Sequence, residues 1–164
     1  MNNDLLKRYI DDQSTKIVTK LDFATGKLSY DKIVQCQKRT DAKPEELCRA
    51  YLLTKLVNEL GYDPAKIEIE HEYTAGRPHT ITSRIDVIVR DANGDAFLFI
   101  EVKNEEEYAT IDKDNVIEEQ LFKLAGMERT DGHSVKYLVL YTTNDATGTI
   151  TDECIIIDNQ KYST

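Results

Sequence analysis

Two acidic residues and a lysine stand where they could do metal-assisted chemistry. Asp86 lies in the run Ser83-Arg84-Ile85-Asp86-Val87-Ile88-Val89-Arg90, and Glu101-Val102-Lys103 follows fifteen residues later, at the end of Ala96-Phe97-Leu98-Phe99-Ile100. Both runs read as strands, and Asp91-Ala92-Asn93-Gly94-Asp95 between them is a strong hairpin turn signal. Side chains alternate along a strand, so Glu101 and Lys103 share one face while Val102 points the other way. In an antiparallel pair Asp86 comes near the level of Glu101. Two carboxylates converging near the end of a buried hairpin are costly unless something positive neutralises them. A divalent cation does this: Mg²⁺ takes oxygen ligands at about 2.1 Å and keeps several waters for a phosphate substrate. Lys103, on the same face, can orient or deprotonate an attacking water, or stabilise a pentavalent phosphate. The competing reading is chance, because D…E-x-K occurs in many acidic proteins and an exposed hairpin could carry all three residues idly.

The elements around this hairpin describe an α/β chain. Pro44 suits a first helical position, with Glu45 and Glu46 in the first turn where carboxylates suit the helix dipole. Leu47, Ala50, Tyr51, Thr54, Leu56, Val57 and Leu60 keep one face of that helix mostly apolar, and Gly61 stops it. Ile67, Ile69, His71 and Tyr73 alternate with Glu68, Glu70 and Glu72, the pattern of a strand with one wet face. After an acidic Glu105-Glu106-Glu107 stretch, expected to be a solvated loop, Val116, Ile117, Gln120, Leu121, Leu124 and Ala125 form one helical stripe ending at Gly126. Residues 136–142 and 154–158 supply two more strands. Upstream, the spacing of Leu5, Leu6, Tyr9 and Ile10 predicts a short helix, and Ala24-Thr25-Gly26-Lys27 the turn of a hairpin. The expected architecture is a mixed central β-sheet flanked by helices.

Composition sets the outer bounds. The 164 residues, 40% hydrophobic and 31% charged with ten Gly and Pro, suit one globular domain and exclude collagen-like and disordered classes. No apolar run approaches the roughly 20 residues of a membrane span, and the first residues lack the order of a signal peptide. Cys36, Cys48 and Cys154 form no C-x-x-C pair, so they read as core or inert thiols of a cytosolic protein. The net charge of −9 argues against tight non-specific nucleic-acid binding. It leaves open a cluster of carboxylates around a metal, where net charge is a poor guide to local potential. No Gly-rich phosphate loop of the Walker type occurs, which excludes a motor or NTPase within this chain.

Asp86 followed by Glu101-x-Lys103, in a hairpin after a Pro-Glu-Glu helix, resembles the PD-(D/E)xK nuclease superfamily. Within it the chain is most similar to the N-terminal nuclease domain of type I restriction-enzyme R subunits and related fused restriction–modification proteins. The stretches that carry the resemblance are Lys43-Pro44-Glu45-Glu46 through Gly61-Tyr62, the Asp86 strand, and Phe99-Ile100-Glu101-Val102-Lys103. The resemblance implies a restriction-endonuclease-like core over residues 43–142, an N-terminal extension over 1–42, and a C-terminal strand and tail over 143–164. It implies that Asp86, Glu101 and the Val102 carbonyl hold Mg²⁺, with Mn²⁺ as a substitute, and that Glu46 joins them. Lys103 would be the catalytic lysine and Gln120 the glutamine of a Q-x-x-x-Y element. Ile85 stands where the family name has proline, and Leu124 where that element has tyrosine. On the residues alone, Glu46 also reads as a first-turn partner of the helix dipole, and Gln120 as a satisfied core amide.

The expected function is a Mg²⁺-dependent endonuclease domain of a restriction–modification system, acting on double-stranded DNA in the cytoplasm. Such a domain is expected to be part of a longer chain. Translocase, methyltransferase or specificity domains or subunits would be its partners, and no membrane would be involved. Two rivals stay open: a nuclease-fold module that binds nucleic acid or a partner subunit without cleaving, and a stand-alone repair or resolvase-type nuclease. Arg77 and Arg84, with Lys103, could meet phosphates near the site, although Arg77 reads first as a surface-loop residue.

Overall fold

The chain starts with helix α1 (Asp4–Gln13), a hairpin of β1 (Thr19–Asp22) and β2 (Lys27–Tyr30), and a two-residue strand β3 (Val34–Gln35). This computed structural model describes residues 3–13, 19–22, 24–35, 41–75 and 80–161. Cys36 and residues 76–79, which include Arg77 and His79, lie outside the described residues. The first hairpin turns where the sequence predicts it. The Asp22 carboxylate accepts from the Ala24 and Thr25 N–H groups, and Gly26 takes the left-handed φ of 64°.

Helix α2 (Pro44–Asn58) begins at Pro44 and ends where Tyr62 N–H returns to the Leu56 carbonyl at 3.0 Å, over a Gly61 with φ 75°. It is buried on more than the single face that its apolar pattern suggests. Cys48, Leu52, Leu53 and Leu56 pack on the sheet, while Leu47 and Ala50 meet Ile10 of α1 and Leu28 of β2. The N-terminal layer therefore covers the outer side of α2 and leaves it a central element.

The sheet itself has six strands: β3, then β4 (Ile67–Ala75), β5 (Thr80–Arg90), β6 (Ala96–Val102), β7 (Val135–Asn144) and β8 (Thr151–Asp158), in that spatial order. The β3–β4 and β6–β7 pairs are parallel and the others antiparallel, which gives the expected mixed sheet. The β5–β6 turn is closed by the Asp91 carboxylate, which accepts from the Asn93 and Asp95 N–H groups. A parallel β6–β7 pair needs a crossover, and this one is helical. It consists of α3 (Glu105–Thr110), α4 (Lys113–Val116), a wide π-type turn over Ile117–Phe122, and α5 (Lys123–Thr130).

Two expectations about that crossover are corrected. Glu105, Glu106 and Glu107 form the first turn of α3, not a loop, because Asn104 caps the helix by accepting from Glu107 N–H at 2.9 Å and the carboxylates suit its N-terminus. The second helix continues past Gly126 to Thr130. Its apolar side, with Leu121, Leu124 and Ala125, packs with Phe99, Leu138 and Leu140 on the sheet face opposite α2. The thiols divide: Cys48 is buried, whereas Cys154 on the edge strand β8 is exposed. Among the described residues no helix is long and apolar enough to cross a membrane.

Leu53 is fully buried between α2 and the sheet. Leu53→Ala should cost about 2–5 kcal/mol of folding free energy, seen as a lower urea midpoint at unchanged m-value. A loss below about 1 kcal/mol would contradict the packing of α2 on the sheet.

Candidate active site

The β5–β6 ladder runs from the turn to its last paired residues, Val87 and Ile100. One step further, the same register sets Asp86 opposite Glu101. Beyond Val87 the Asp86 carboxylate takes over from the backbone, accepting Val102 N–H on Oδ2 at 2.8 Å. Lys103 N–H donates to the Tyr141 carbonyl of β7 at 2.9 Å, so the end of β6 is held from both sides. The Lys103 ammonium donates to Glu101 Oε1 at 3.0 Å. Asp86, Glu101, Val102 and Lys103 are thus brought together by the strand pairing alone.

Helix α2 adds a second group. Arg49 is 3% exposed and donates from Nε and Nη2 to the two oxygens of Glu46, at 3.3 and 2.5 Å. Its Nη1 donates to Glu70 Oε1 at 2.7 Å and stands 3.8 Å from Asp86 Oδ1. Tyr30 of β2 donates its hydroxyl to Glu46 at 2.6 Å. Glu46, which the family resemblance implies as a metal ligand, therefore has both oxygens engaged by Arg49 and Tyr30. Its neighbour Glu45 is an α2 carboxylate that feels the charges of Asp86 and Lys103.

Glu70 departs from the wet-face expectation for β4. It is buried, and its φ is 54°, in the left-handed region that costs a non-glycine residue roughly 1–3 kcal/mol. In the β4–β5 ladder Ile69 pairs with Val87 and His71 with Ile85, which leaves Glu70 at the level of Asp86. The twist at Glu70 changes the face: Ile67 and Ile69 pack on the α2 side, while Tyr73 packs in the opposite core. Arg49, Glu45 and Glu70 are the site residues that sequence reasoning passed over. Arg49 left a signal, a lone cation three residues after Glu46 in an otherwise apolar stretch of helix. A left-handed glutamate leaves none.

The electrostatics distinguish this cluster from the buried ion pairs elsewhere. Burial and the Asp86 charge push the Glu101 carboxyl up to about 8, against the pull of Lys103. Burial and Asp86 likewise push Glu45 up to about 7. Asp86 is raised by burial and by Glu70, although Val102 N–H, Arg49 and Lys103 oppose this. On the far face of the sheet, burial would also raise Glu128, but Arg90 and the Tyr73 hydroxyl hold it below the usual carboxylate range. Around the site five carboxylates (Glu45, Glu46, Glu70, Asp86 and Glu101) meet two cations among the described residues, Arg49 and Lys103. A cleft site with perturbed carboxylates in excess of their counter-charges is where function concentrates.

Among the described residues no group of three or more His, Cys, Asp or Glu side chains forms a ready-made cage for an ion. Two carboxylates and a backbone carbonyl, all hard oxygen donors, suit Mg²⁺, which binds through one or two carboxylates and fills its shell with water and phosphate. A narrow cleft lined by Glu45, Glu46, Arg49, Asp86 and Val102 reaches the group. Beside it a cavity of about 100 Å³ opens between Pro44, Cys48, Asn104 and Thr143. Gln120 is exposed on the wide turn of the crossover helix, and among the described residues no hydrogen bond joins it to Asp86, Glu101 or Lys103. Arg84 donates to Glu72 at 3.1 Å, so its charge is partly spent.

The family model for the type I restriction enzyme R protein N terminus (HSDR_N) matches residues 44–147, which include α2, the β5–β6 hairpin and the crossover. The chain belongs to this family. None of the curated proteins compared with it gives a significant match. Membership makes the protein an R-subunit N-terminal domain, and implies association with DNA and with other restriction–modification subunits.

Because Glu101 and Glu45 titrate higher in the folded chain than unfolded, the folded state without metal holds more protons at intermediate pH. Their contribution is fully present below about pH 4.5 and is lost as pH rises through about 7 to 8. In EDTA the melting temperature should therefore fall between pH 5 and 8.5, and Glu101→Gln should flatten most of that slope. A wild-type melting temperature that stays level or climbs across this window would rule out the surplus of buried carboxylate.

Proposed function

We propose that this R-protein domain is a Mg²⁺-dependent DNA endonuclease that hydrolyses phosphodiester bonds within a restriction–modification enzyme. The observation that carries the reading is the convergence of Asp86, Glu101 and Lys103 at the joined ends of β5 and β6, with carboxylate in surplus. Asp86, Glu101 and the Val102 carbonyl hold the ion, and Glu45 faces them from α2 in the place that the resemblance gives to Glu46. Bound there, a divalent ion supplies Lewis-acid polarisation of a phosphodiester oxygen.

The chain's own residues do the rest. Val102 N–H fixes Asp86 from one side, which pre-orients a donor carboxylate without recruiting a side chain for the purpose. Lys103, kept charged by Glu101 and Asp86 in spite of its burial, places an ammonium where negative charge grows on the phosphate. The same group orients a water for attack. With a net charge of −9 the domain does not hold DNA by non-specific attraction. Translocase, methyltransferase or specificity subunits hold the duplex, so the cleft needs only local attraction. Gln120, exposed on the crossover helix, has its role at the DNA and not at the ion on this reading.

Lys103→Ala should lower Mg²⁺-dependent DNA cleavage by the assembled restriction complex at least about a hundredfold, with circular dichroism unchanged. Cleavage near the wild-type rate would remove Lys103 from the chemistry, and a wild-type complex that never cuts would leave the domain a binding module. Metal should also stabilise the fold. At 100 times its Kd the gain is about 2.7 kcal/mol, or roughly 5–10 °C for a chain this size. Asp86→Asn should melt no lower than wild type in EDTA, yet lose most of that gain in scanning fluorimetry with Mg²⁺ or Mn²⁺. If the mutant keeps the full shift, Asp86 is not a ligand.

A further inference from the structure

We propose that Glu70 and Arg49 are a positioning pair that holds a buried guanidinium at a fixed stand-off from Asp86, near enough to orient that carboxylate and far enough to leave it to the cation. The inference rests on the reading of Asp86 as a metal ligand. Its basis is a difference in distance. Arg49 Nη1 is 2.7 Å from Glu70 Oε1 but 3.8 Å from Asp86 Oδ1, although Glu70 and Asp86 stand at the same level of adjacent strands. A hydrogen bond is formed with the first and only a charge contact with the second.

Each partner in this arrangement is constrained on its other side. Arg49 has Nε and Nη2 committed to Glu46, and Glu46 is in turn fixed by the Tyr30 hydroxyl, so the planar fork cannot rotate freely. Asp86 has Oδ2 on Val102 N–H, which leaves Oδ1 as the oxygen that Arg49 addresses. Glu70 reaches Arg49 only by way of a left-handed backbone, which no other described residue of the six-stranded sheet adopts. A buried ion cluster is weak evidence for net stability, and fixing a specific arrangement is its best-attested use. A strained residue that anchors a buried cation beside a candidate ligand fits that use.

The alternatives predict different behaviour when Glu70 loses its charge. In Glu70→Gln the guanidinium is released toward Asp86, where it competes with the cation. Mn²⁺ binding, followed by calorimetry and by the electron paramagnetic resonance of free Mn²⁺, should weaken about tenfold or more, the range for groups that orient metal ligands. The melting temperature in EDTA should stay level or rise, since one buried carboxylate has gone. A merely structural Glu70 would move both readouts the other way, lowering stability and leaving Kd alone. Arg49→Lys keeps the charge, but one ammonium cannot span Glu46 and Glu70, and Mn²⁺ binding should weaken by a similar factor. If Arg49→Lys fails to fold, Glu70→Gln decides. Mn²⁺ affinities within twofold of wild type, while Asp86→Asn abolishes binding, would overturn the positioning pair and leave the metal reading standing. A wild-type protein that binds no Mn²⁺, or an Asp86→Asn variant that binds it normally, would overturn both.

Discussion

Five carboxylates, Glu45, Glu46, Glu70, Asp86 and Glu101, meet Arg49 and Lys103 at a site where Glu46, Arg49, Glu70 and Glu101 are buried and the other three partly so. Buried charge of one sign is tolerated only where counter-charge, hydrogen bonds or a bound ion offset it. On the far face of the sheet the rule is met: Glu128 is matched by Arg90 and the Tyr73 hydroxyl. At the end of β5 and β6 it is met only in part, and the surrounding architecture is organised to sustain the imbalance. The N-terminal hairpin supplies Tyr30 to Glu46, α2 supplies Arg49, β4 bends to supply Glu70, and β7 holds the backbone of Lys103. These four elements are drawn from residues far apart in the chain, so the imbalance is a property of the whole fold.

On the proposed function, an acidic domain that acts on DNA has to separate holding from cutting. The R-protein family places such domains among other restriction–modification subunits, and the charge distribution here fits that division of labour. Among the described residues the cations near the site are spent on carboxylates: Lys103 on Glu101, Arg49 on Glu46 and Glu70, Arg84 on Glu72. Little remains to grip a phosphate backbone unaided.

How much of this was legible in the sequence depended on whether periodicity held. Asp86 opposite Glu101 followed from strand alternation and a strong turn; the hairpin shifts register once, between Val89 and Arg90 near the turn, and is regular from there to Val87 and Ile100. Gln120 followed from a 3.6-residue period, but the wide turn over Ile117–Phe122 inserts the equivalent of one residue into the helix and rotates Gln120 to solvent while Ile117 and Leu121 stay buried. The apolar residues thus survive a change of phase that displaces the polar one. Glu45 and Glu46 are adjacent, and adjacent helical residues differ by about 100° of rotation, which no spacing argument resolves without knowing how α2 sits on the sheet. Glu70 was misplaced for a related reason. Alternation assumes extended backbone, and one left-handed residue cancels it.

The parallel pairing of β6 with β7 has a consequence for the order in which the molecule assembles. The two halves of the β5–β6 hairpin are separated only by the short 91–95 turn, a closure completed in microseconds. Between Val102 and Val135 lie 32 residues, all of which must be gathered before Lys103 can bond to Tyr141. During synthesis Asp86 and Glu101 can thus approach each other well before the strand that fixes Lys103 has left the ribosome. A nascent chain at that stage carries the acidic half of the site without its rigid support. On the proposed function, competence to cut then waits for the longest-range pairing in the sheet's centre, that of β6 with β7.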